Sequence, residues 1–272
     1  MIPAAFDYLR ADSVDEALAA LAEHGDEAKL LAGGQSLIPL MRFRLVTPGV
    51  IVDVGSLDGD LQGIAVEGDT VHIGALATHS ALEHSTALID ACPLLVRVAS
   101  HVGDPSVRHR GTIGGSIAHA DPASDLPAAV LALGGTMTAC GPAGERQIPA
   151  SEFYTGFLES VLAPDELLTR ISVPVSTGGW AYEKFNRRAQ DWAVVGVAVA
   201  EGGAGVALVN MGMTPLQATA VERAVAGGAS AAEAADLAAD GTEPSSDNDA
   251  DAEFRRHLAR VLTRRALETA GV

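Results

Sequence analysis

The chain has 272 residues, of which 48% are hydrophobic and 19% charged, a composition typical of a folded globular protein. Asp and Glu outnumber Lys and Arg by 35 to 18, and the net charge of −17 makes nucleic acid and anionic membranes poor partners. Two cysteines, Cys92 and Cys140, are too few to hold an iron–sulfur cluster. Redox chemistry in this chain would therefore need an organic cofactor.

The N-terminus lacks a basic region followed by an apolar run, and the chain has no uninterrupted apolar stretch of about 18 residues. We expect no signal peptide, no membrane span and a cytoplasmic location. His101, His109 and His119 lie close together in the sequence, but their spacing fits no metal-site motif, so we predict no metal.

The N-terminal part has the pattern of a small α/β unit. Ser13 and Glu16 form a capping box that predicts a helix ending at Gly25. Further elements predicted here are strands at 29–32 and 50–54 and a helix at 37–43, which contains Pro39 in its first turn.

The middle of the chain predicts two hairpins separated by helices. One hairpin pairs residues 61–66 with 70–73 around Glu67-Gly68-Asp69, and the other spans 136–148. Thr78 is predicted to cap a helix that runs through Leu82, and a longer helix is predicted over 88–101.

The pattern changes near residue 175, where Ser176-Thr177-Gly178-Gly179 resembles a linker. Predicted beyond it are strands at 182–185, 194–200 and 206–211, helices at 216–225, 231–239 and 253–270, and an acidic loop at 241–250. Phe254, Leu258, Val261, Leu262 and Leu267 share one side of the last helix. The class is α+β, with expected units at 1–57, 58–175 and 176–272.

Two glycine-rich loops carry the chemistry that the sequence suggests. Consecutive glycines at 33–34 and 114–115 let backbone N–H groups approach an anion that a Cβ would push away. The first loop opens a predicted helix, where unpaired N–H groups face a bound phosphate, and the second supplies a similar set of donors with a hydroxyl on either side. Two such loops would suit a diphosphate.

Each loop also has a plainer interpretation as an ordinary tight turn, since glycine pairs are routine turn signals. Neither loop matches the G-x-G-x-x-G or P-loop patterns. Asp121 and Asp125 are open to two interpretations, an acid–base pair of carboxylates or simple turn and helix-cap chemistry.

Three segments in order resemble the FAD-binding subunits of molybdenum hydroxylases. Segment 31–41, LAGGQSLIPLM, resembles the first FAD-binding segment of that family, and 111–116, GTIGGS, followed by DPASDLP, resembles the second. The third is resembled by Glu183-Lys184-Phe185 with Arg187-Arg188 and Asp191-Trp192-Ala193. The resemblance spans the chain, and among these subunits it is greatest to the medium subunit of aerobic carbon monoxide dehydrogenases.

The resemblance implies a vanillyl-alcohol-oxidase-like FAD-binding domain of two α/β subdomains, followed by a C-terminal α+β domain. It implies an electron-transfer flavoprotein with noncovalent FAD. The [2Fe-2S] clusters of a small partner subunit would supply electrons, and a quinone or NAD would accept them. A molybdopterin-binding large subunit would oxidise the substrate, in an assembly expected to be a dimer of heterotrimers.

The same resemblance implies a set of cofactor-binding residues and no catalytic residue in this chain. Residues 32–36 and 112–116 would hold the diphosphate, Asp125 would contact the hydroxyls of the cofactor, and Leu168 would contact it through its backbone. Lys184 would lie near the polar edge of the flavin, and Trp192 would stack against its ring. The complete implied set is Leu31, Ala32, Gly33, Gly34, Gln35, Ser36, Leu37, Val102, Gly111, Thr112, Ile113, Gly114, Gly115, Ser116, Asp125, Leu168, Lys184 and Trp192.

Three residues depart from the pattern of the family. Ser116 stands where relatives usually carry Asn, Trp192 where they often carry Tyr, and Gln35 where carbon monoxide enzymes often carry His. Gln35 keeps one alternative open, the FAD subunit of a xanthine or N-heterocycle dehydrogenase of the nicotine type. Two further alternatives are a self-sufficient FAD oxidoreductase and a nucleotide-binding or scaffolding protein without a redox role.

Overall fold

A computed structural model describes residues 2–272, apart from the side chain of Asp60. Its strands form three main sheets and a small hairpin. The strands are β1 Asp7–Arg10, β2 Ala28–Leu31, β3 Val50–Asp53, β4 Ile64–Glu67, β5 Thr70–Gly74, β6 Thr136–Gly141, β7 Gly144–Pro149, β8 Tyr154–Gly156, β9 Glu159–Ser160, β10 Leu167–Pro174, β11 Ala181–Phe185, β12 Val195–Ala200, β13 Gly205–Val209 and β14 Leu216–Gln217.

The helices lie mainly in the middle and at the C-terminal end of the chain. They are α1 Val14–His24, α2 Leu37–Arg42, α3 His79–Glu83, α4 Thr86–Ala91, α5 Pro93–Ser100, α6 Pro105–Arg108, α7 Ile113–His119, α8 Asp125–Ala132, α9 Ala150–Phe153, α10 Thr219–Ala226, α11 Ala231–Ala235 and α12 Ala252–Ala270. Within residues 2–272, no helix is long and apolar enough to cross a membrane.

The first sheet is parallel, with the order β1-β3-β2. Ser13 caps α1, and Gly25 ends it, as predicted. The reciprocal bond of the capping box differs in one detail, because Glu16 accepts from the N–H of Asp12 rather than from that of Ser13. The core of this unit is a small cluster built on β3 and α1.

The second sheet has five strands in the order β4-β5-β10-β6-β7, all antiparallel. Both predicted hairpins are confirmed, since β4 pairs with β5 and β6 with β7. The single helix predicted over 88–101 is wrong. Cys92 leaves the helical region at φ −155°, and Pro93 begins the new helix α5, because proline cannot donate the N–H that a continuous helix requires.

The third sheet, β11-β12-β13-β14, is antiparallel as predicted. One face packs on α8, all of whose residues are buried, and the other packs on α12. The fold class α+β is therefore confirmed. The helix predicted over 216–225 begins only at Thr219, because Leu216 and Gln217 pair with β13.

The buried face of α12 differs from the predicted one at its start. Arg255 is 1% exposed, whereas Phe254 is 43% exposed and meets Phe185 edge to face. The guanidinium of Arg255 donates to the carbonyl of Val194 and to Asp247, so a charged side chain occupies a position that its apolar neighbour was expected to fill.

Candidate functional site

The first glycine loop, residues 32–36, joins the end of β2 to the start of α2. Gly34 has a φ of +76°, in the left-handed region that glycine enters without strain. Among the described residues, no protein acceptor is recorded for the backbone N–H groups of residues 33–36. A run of free donors at the start of a helix is suited to an anion such as a phosphate.

The second glycine loop, residues 111–116, differs in its hydrogen bonds. Ile113 and Gly114 donate to the carbonyls of Ala77 and Ala75 at 3.0 and 2.8 Å. Gly115 donates to the hydroxyl of Thr112 at 3.1 Å, and Ser116 donates to the Thr112 carbonyl. The second loop is thus not the free-donor nest that the sequence suggested, because Thr112 caps α7 and the turn at residues 75–77 accepts from Ile113 and Gly114.

The two loops lie against each other. A Cβ built on Gly33 would lie only 2.0 Å from the carbonyl oxygen of Arg110 and 2.8 Å from the Cα of Gly111. Both obstacles are backbone atoms, which cannot rotate away as a side chain can. The fold brings together residues that are about 80 positions apart in the sequence. Glycine at position 33 permits the two backbones to lie this close.

Gly114 has a packing role of its own. A Cβ at this position would lie 2.5 Å from the Cβ of Ala75, whose N–H donates to the carbonyl of Thr169 at 2.9 Å. Leu168, the preceding residue, is 6% exposed and lies beside the irregularity in the pairing of β10 with β6. The second loop, Ala75 and the Leu168 region of β10 therefore form one continuous wall.

A buried charge cluster lies at the start of α8. The carboxylate of Asp125 accepts from the Lys184 ammonium at 2.7 Å and from the hydroxyl of Tyr182. The side chains of Lys184 and Asp125 are 3% and 6% exposed. Burial raises the pKa of Asp125, and the neighbouring Lys184 and Tyr182 only partly oppose that shift. The arrangement is a desolvated ion pair, completed by hydrogen bonds.

The same cluster includes residues near Val102. Lys184 also donates to the carbonyl of His101 at 3.1 Å, and the His101 ring meets that of Tyr182 edge to face. Burial lowers the pKa of His101. Val102 itself is half-buried and follows His101 directly. Two of the three N–H donors of Lys184 are thus used by the protein, which leaves one for a ligand.

Trp192 lies apart from these contacts, on the loop between β11 and β12, and is 58% exposed. It lines a cleft with Pro122, Phe157 and Arg188, among others. Asn210 fixes this region, because its side chain donates to the carbonyl of Ala193 and its N–H donates to that of Pro122.

Asp121 resolves one of the alternatives left open by the sequence. Its carboxylate accepts from the N–H of Ala123 at 2.9 Å, which is the hydrogen bond of a turn. Asp125 instead belongs to the buried cluster with Lys184. The two carboxylates have different partners and different roles, and the interpretation of Asp121 as a turn residue is confirmed.

The sequence did not indicate that Tyr182, His101 and His79 belong to the site. Tyr182 had a usable signal, since it precedes Lys184 by two positions on a strand and so shares its face of the sheet. His79, 4% exposed, supports the second loop, and a Cβ on Gly111 would lie 2.8 Å from its ring. Its partner is 32 positions away in the sequence, so no local pattern reveals it.

Known families match nearly the whole chain. The model described as the FAD binding domain in molybdopterin dehydrogenase matches residues 4–176, and that of the CO dehydrogenase flavoprotein C-terminal domain matches 180–270. The chain belongs to this flavoprotein family. It is an FAD-binding oxidoreductase subunit, as the resemblance in its glycine loops implied.

Several relatives in this family match the chain over nearly their full length. The carbon monoxide dehydrogenase medium chain of Afipia carboxidovorans is 41% identical, over 99% of this chain and 98% of the relative. A solved carbon monoxide dehydrogenase structure from Hydrogenophaga pseudoflava superposes with a TM-score of 0.95 at 41% identity, covering 99% and 98% of the two chains. Quinoline 2-oxidoreductase from Pseudomonas putida 86 gives 0.91 at 33% identity, covering 99% and 98%.

The residues of the first loop fit the diphosphate of FAD. The free N–H groups of residues 33–36 and the positive φ of Gly34 provide the donors and the open backbone that such a group needs. The prediction that residues 31–37, 102, 111–116, 125, 168, 184 and 192 contact the cofactor stays a prediction.

Proposed function

We propose that this chain is the FAD-containing medium subunit of a carbon monoxide dehydrogenase-type molybdenum hydroxylase. It would accept electrons from the [2Fe-2S] clusters of a small partner subunit and deliver them to an external quinone or NAD. The observation that carries the proposal is the contact of Gly33 with Arg110 and Gly111, because it joins the loop with free donors to the second loop of the family motif.

FAD supplies the redox chemistry when bound, and the residues of this chain bind and orient it. We propose that the N–H groups of residues 33–36 hold the diphosphate, while 111–116 form the wall behind it. The free donor of Lys184 would contact the cofactor, and Trp192 would cover the flavin ring from its exposed position.

The paired state of Lys184 changes what this residue can do for the flavin. An unpaired ammonium would stabilise negative charge on a reduced ring, but here the carboxylate of Asp125 lies 2.7 Å from it and opposes its field. We propose that the pair acts as an oriented dipole with one remaining N–H donor. Its effect on the flavin should be correspondingly small.

The Lys184 proposal is tested with a double variant, because removing Lys184 alone would leave Asp125 buried and uncompensated at a cost of about 3–5 kcal/mol. Asp125→Asn with Lys184→Met removes both charges. We expect FAD to be retained and its reduction potential to fall by about 30 mV, a tenfold change for a two-electron couple. Potentiometry on the purified complex measures this shift, and an unchanged potential would count against any contact of Lys184 with the flavin.

We propose that the assembly contains a molybdopterin-binding large subunit and a [2Fe-2S] small subunit, arranged as a dimer of heterotrimers in the cytoplasm. The similarity to medium chains of carbon monoxide dehydrogenases supports the presence of further subunits. The visible flavin spectrum of the purified chain tests the cofactor, and copurification with co-expressed partner subunits tests the assembly. A chain that takes up no added FAD would refute the proposal.

A second candidate is the FAD subunit of a dehydrogenase that acts on an N-heterocycle or xanthine. The match to quinoline 2-oxidoreductase favours it, because the same fold serves an enzyme named for a heterocyclic substrate. Gln35 agrees with this alternative. Substrate oxidation by the copurified complex, with carbon monoxide and with N-heterocycles, separates the two. Turnover by the chain alone would instead indicate a self-sufficient FAD oxidoreductase.

A further inference from the structure

The segment that follows the first glycine loop is unusual for so acidic a chain. Residues 28–52 contain no Asp or Glu, although the chain has 35 of them, and they contain Lys29, Arg42 and Arg44. The net charge of the whole chain is −17. A partner with an acidic surface would be repelled by most of this molecule and attracted to this segment.

The structure turns part of this segment into an exposed surface. Ile38, Phe43 and Leu45 are 45%, 66% and 72% exposed, and Arg42 and Arg44 between them are exposed too. We call Ile38, Arg42, Phe43, Arg44 and Leu45 the basic–apolar patch. Among the described residues, neither arginine of the patch has a recorded ion-pair partner, whereas Arg108 and Arg255 pair with Glu83 and Asp247.

The backbone of this patch contains one residue in the left-handed region. Arg44 has a φ of +57°, a left-handed conformation that glycine or asparagine usually takes at the end of a helix. The N–H of Leu45 donates to the carbonyl of Leu40 at 3.0 Å and fixes the turn. An arginine in this position directs its own side chain and that of Leu45 away from the core, where glycine would contribute no side chain at all.

The patch is continuous with the cofactor loop. The Cδ1 atom of Ile38 lies 2.7 Å from where a Cβ on Gly34 would be, so a patch side chain rests on the loop with the free donors. Helix α2 has six residues and spans only about 9 Å, so Phe43 and Leu45 lie one short helix away. A protein that covers the patch therefore lies beside the loop proposed to hold the diphosphate.

We infer that the basic–apolar patch is the docking surface for the iron–sulfur partner subunit, through an acidic surface with apolar side chains at its centre. The inference rests on the proposed function, which places that partner against the chain that holds the cofactor, and the patch is continuous with the loop proposed to hold the diphosphate. Exposed aromatic and aliphatic side chains beside arginines are the usual composition of such an interface.

The test uses the chain co-expressed with its partner subunits. The variant Arg42→Glu/Arg44→Glu reverses the charge of the patch, and Phe43→Ser/Leu45→Ser removes its apolar part. Arg223→Glu/Arg265→Glu is the matched control, since both arginines are exposed, lie far along the chain in α10 and α12, and give the same change in net charge. Partner affinity is measured over a range of salt concentrations, together with flavin occupancy.

We expect both patch variants to bind the iron–sulfur subunit about tenfold more weakly at low salt, with flavin occupancy unchanged. The affinity of the wild type for the partner should fall as the salt concentration rises, and the charge-reversed variant should lose this dependence. The control should behave as wild type. Patch variants that match the control would overturn the inference. The inference would also be overturned if the patch variants kept the iron–sulfur subunit but no longer bound a second copy of this chain. Patch variants that kept that subunit but lost flavin would overturn it too.

Failure of the proposed function has a different signature. In that case the wild-type chain would hold no FAD or would copurify with no iron–sulfur subunit, before any variant is compared.

Discussion

The two glycine loops have similar sequences and different physical roles. In the first, the N–H groups of residues 33–36 have no recorded protein acceptor among the described residues, and Gly34 opens the backbone. In the second, each N–H from Ile113 to Ser116 already donates to the protein, and Gly114 packs on Ala75. One loop is suited to hold an anion, and the other builds the wall that positions it. A glycine pair thus indicates close backbone approach without telling whether a ligand or the protein itself approaches.

The largest expected effect comes from disrupting the contact between the two glycine loops. In Gly33→Ala, the new Cβ would collide with the Arg110 carbonyl at 2.0 Å, so the loops must separate. We expect FAD affinity to fall by about 100-fold, equivalent to roughly 2.8 kcal/mol. Gly115→Ala is the comparison in the second loop, where the new Cβ would meet only the hydroxyl of Thr112. Titration with FAD measures both, and a Gly33→Ala variant with wild-type affinity would contradict the assignment of the first loop.

A smaller effect should appear in acid, and it concerns the second loop. Burial, with a lesser contribution from Arg108, lowers the pKa of His79 to about 4. Below the unfolded value of about 6.5, the unfolded chain binds a proton that the native chain cannot, so native stability falls as the pH falls toward 4. Between about pH 7 and pH 5 the loss should be roughly 2 kcal/mol.

The measurement is urea unfolding of wild type and His79→Gln at both pH values. The variant lacks the titrating group and should lose less stability than wild type on acidification. His84→Gln, at the exposed histidine that ends the same helix α3, is the control and should follow wild type. If His79→Gln and wild type lose the same stability, the buried neutral state of His79 is wrong.

The smallest expected effect concerns the free energy of unfolding and compares the hydroxyls of Thr112 and Ser36, one in each glycine loop. Thr112 accepts from the N–H of Gly115 as the N-cap of α7, whereas Ser36 makes no such bond at the start of α2. Thr112→Val should lower the free energy of unfolding by about 1 kcal/mol, and Ser36→Ala should leave it nearly unchanged. Denaturant titration of the chain without cofactor checks this, and equal losses in the two variants would remove the distinction between the loops.

Local sequence patterns determined most of the elements and the family. Capping at Ser13, hairpins around Gly68 and between β6 and β7, and the antiparallel strands after residue 180 all follow from neighbours in the chain. The three motif segments indicated the flavoprotein family, because they depend on residue types in a fixed order. Pro93 is likewise a local signal, since it marks the break between α4 and α5.

Only the tertiary structure decided which backbone donors remain free and which side chains meet. The contact of Gly33 with Arg110, the pairing of Asp125 with Lys184 and the burial of Arg255 join residues that are far apart in the chain. Hydrogen-bond donors and buried charges are satisfied by whatever group the fold brings near, and that identity is not encoded by spacing along the sequence. The elements are local in origin, whereas the site is made by contacts between them.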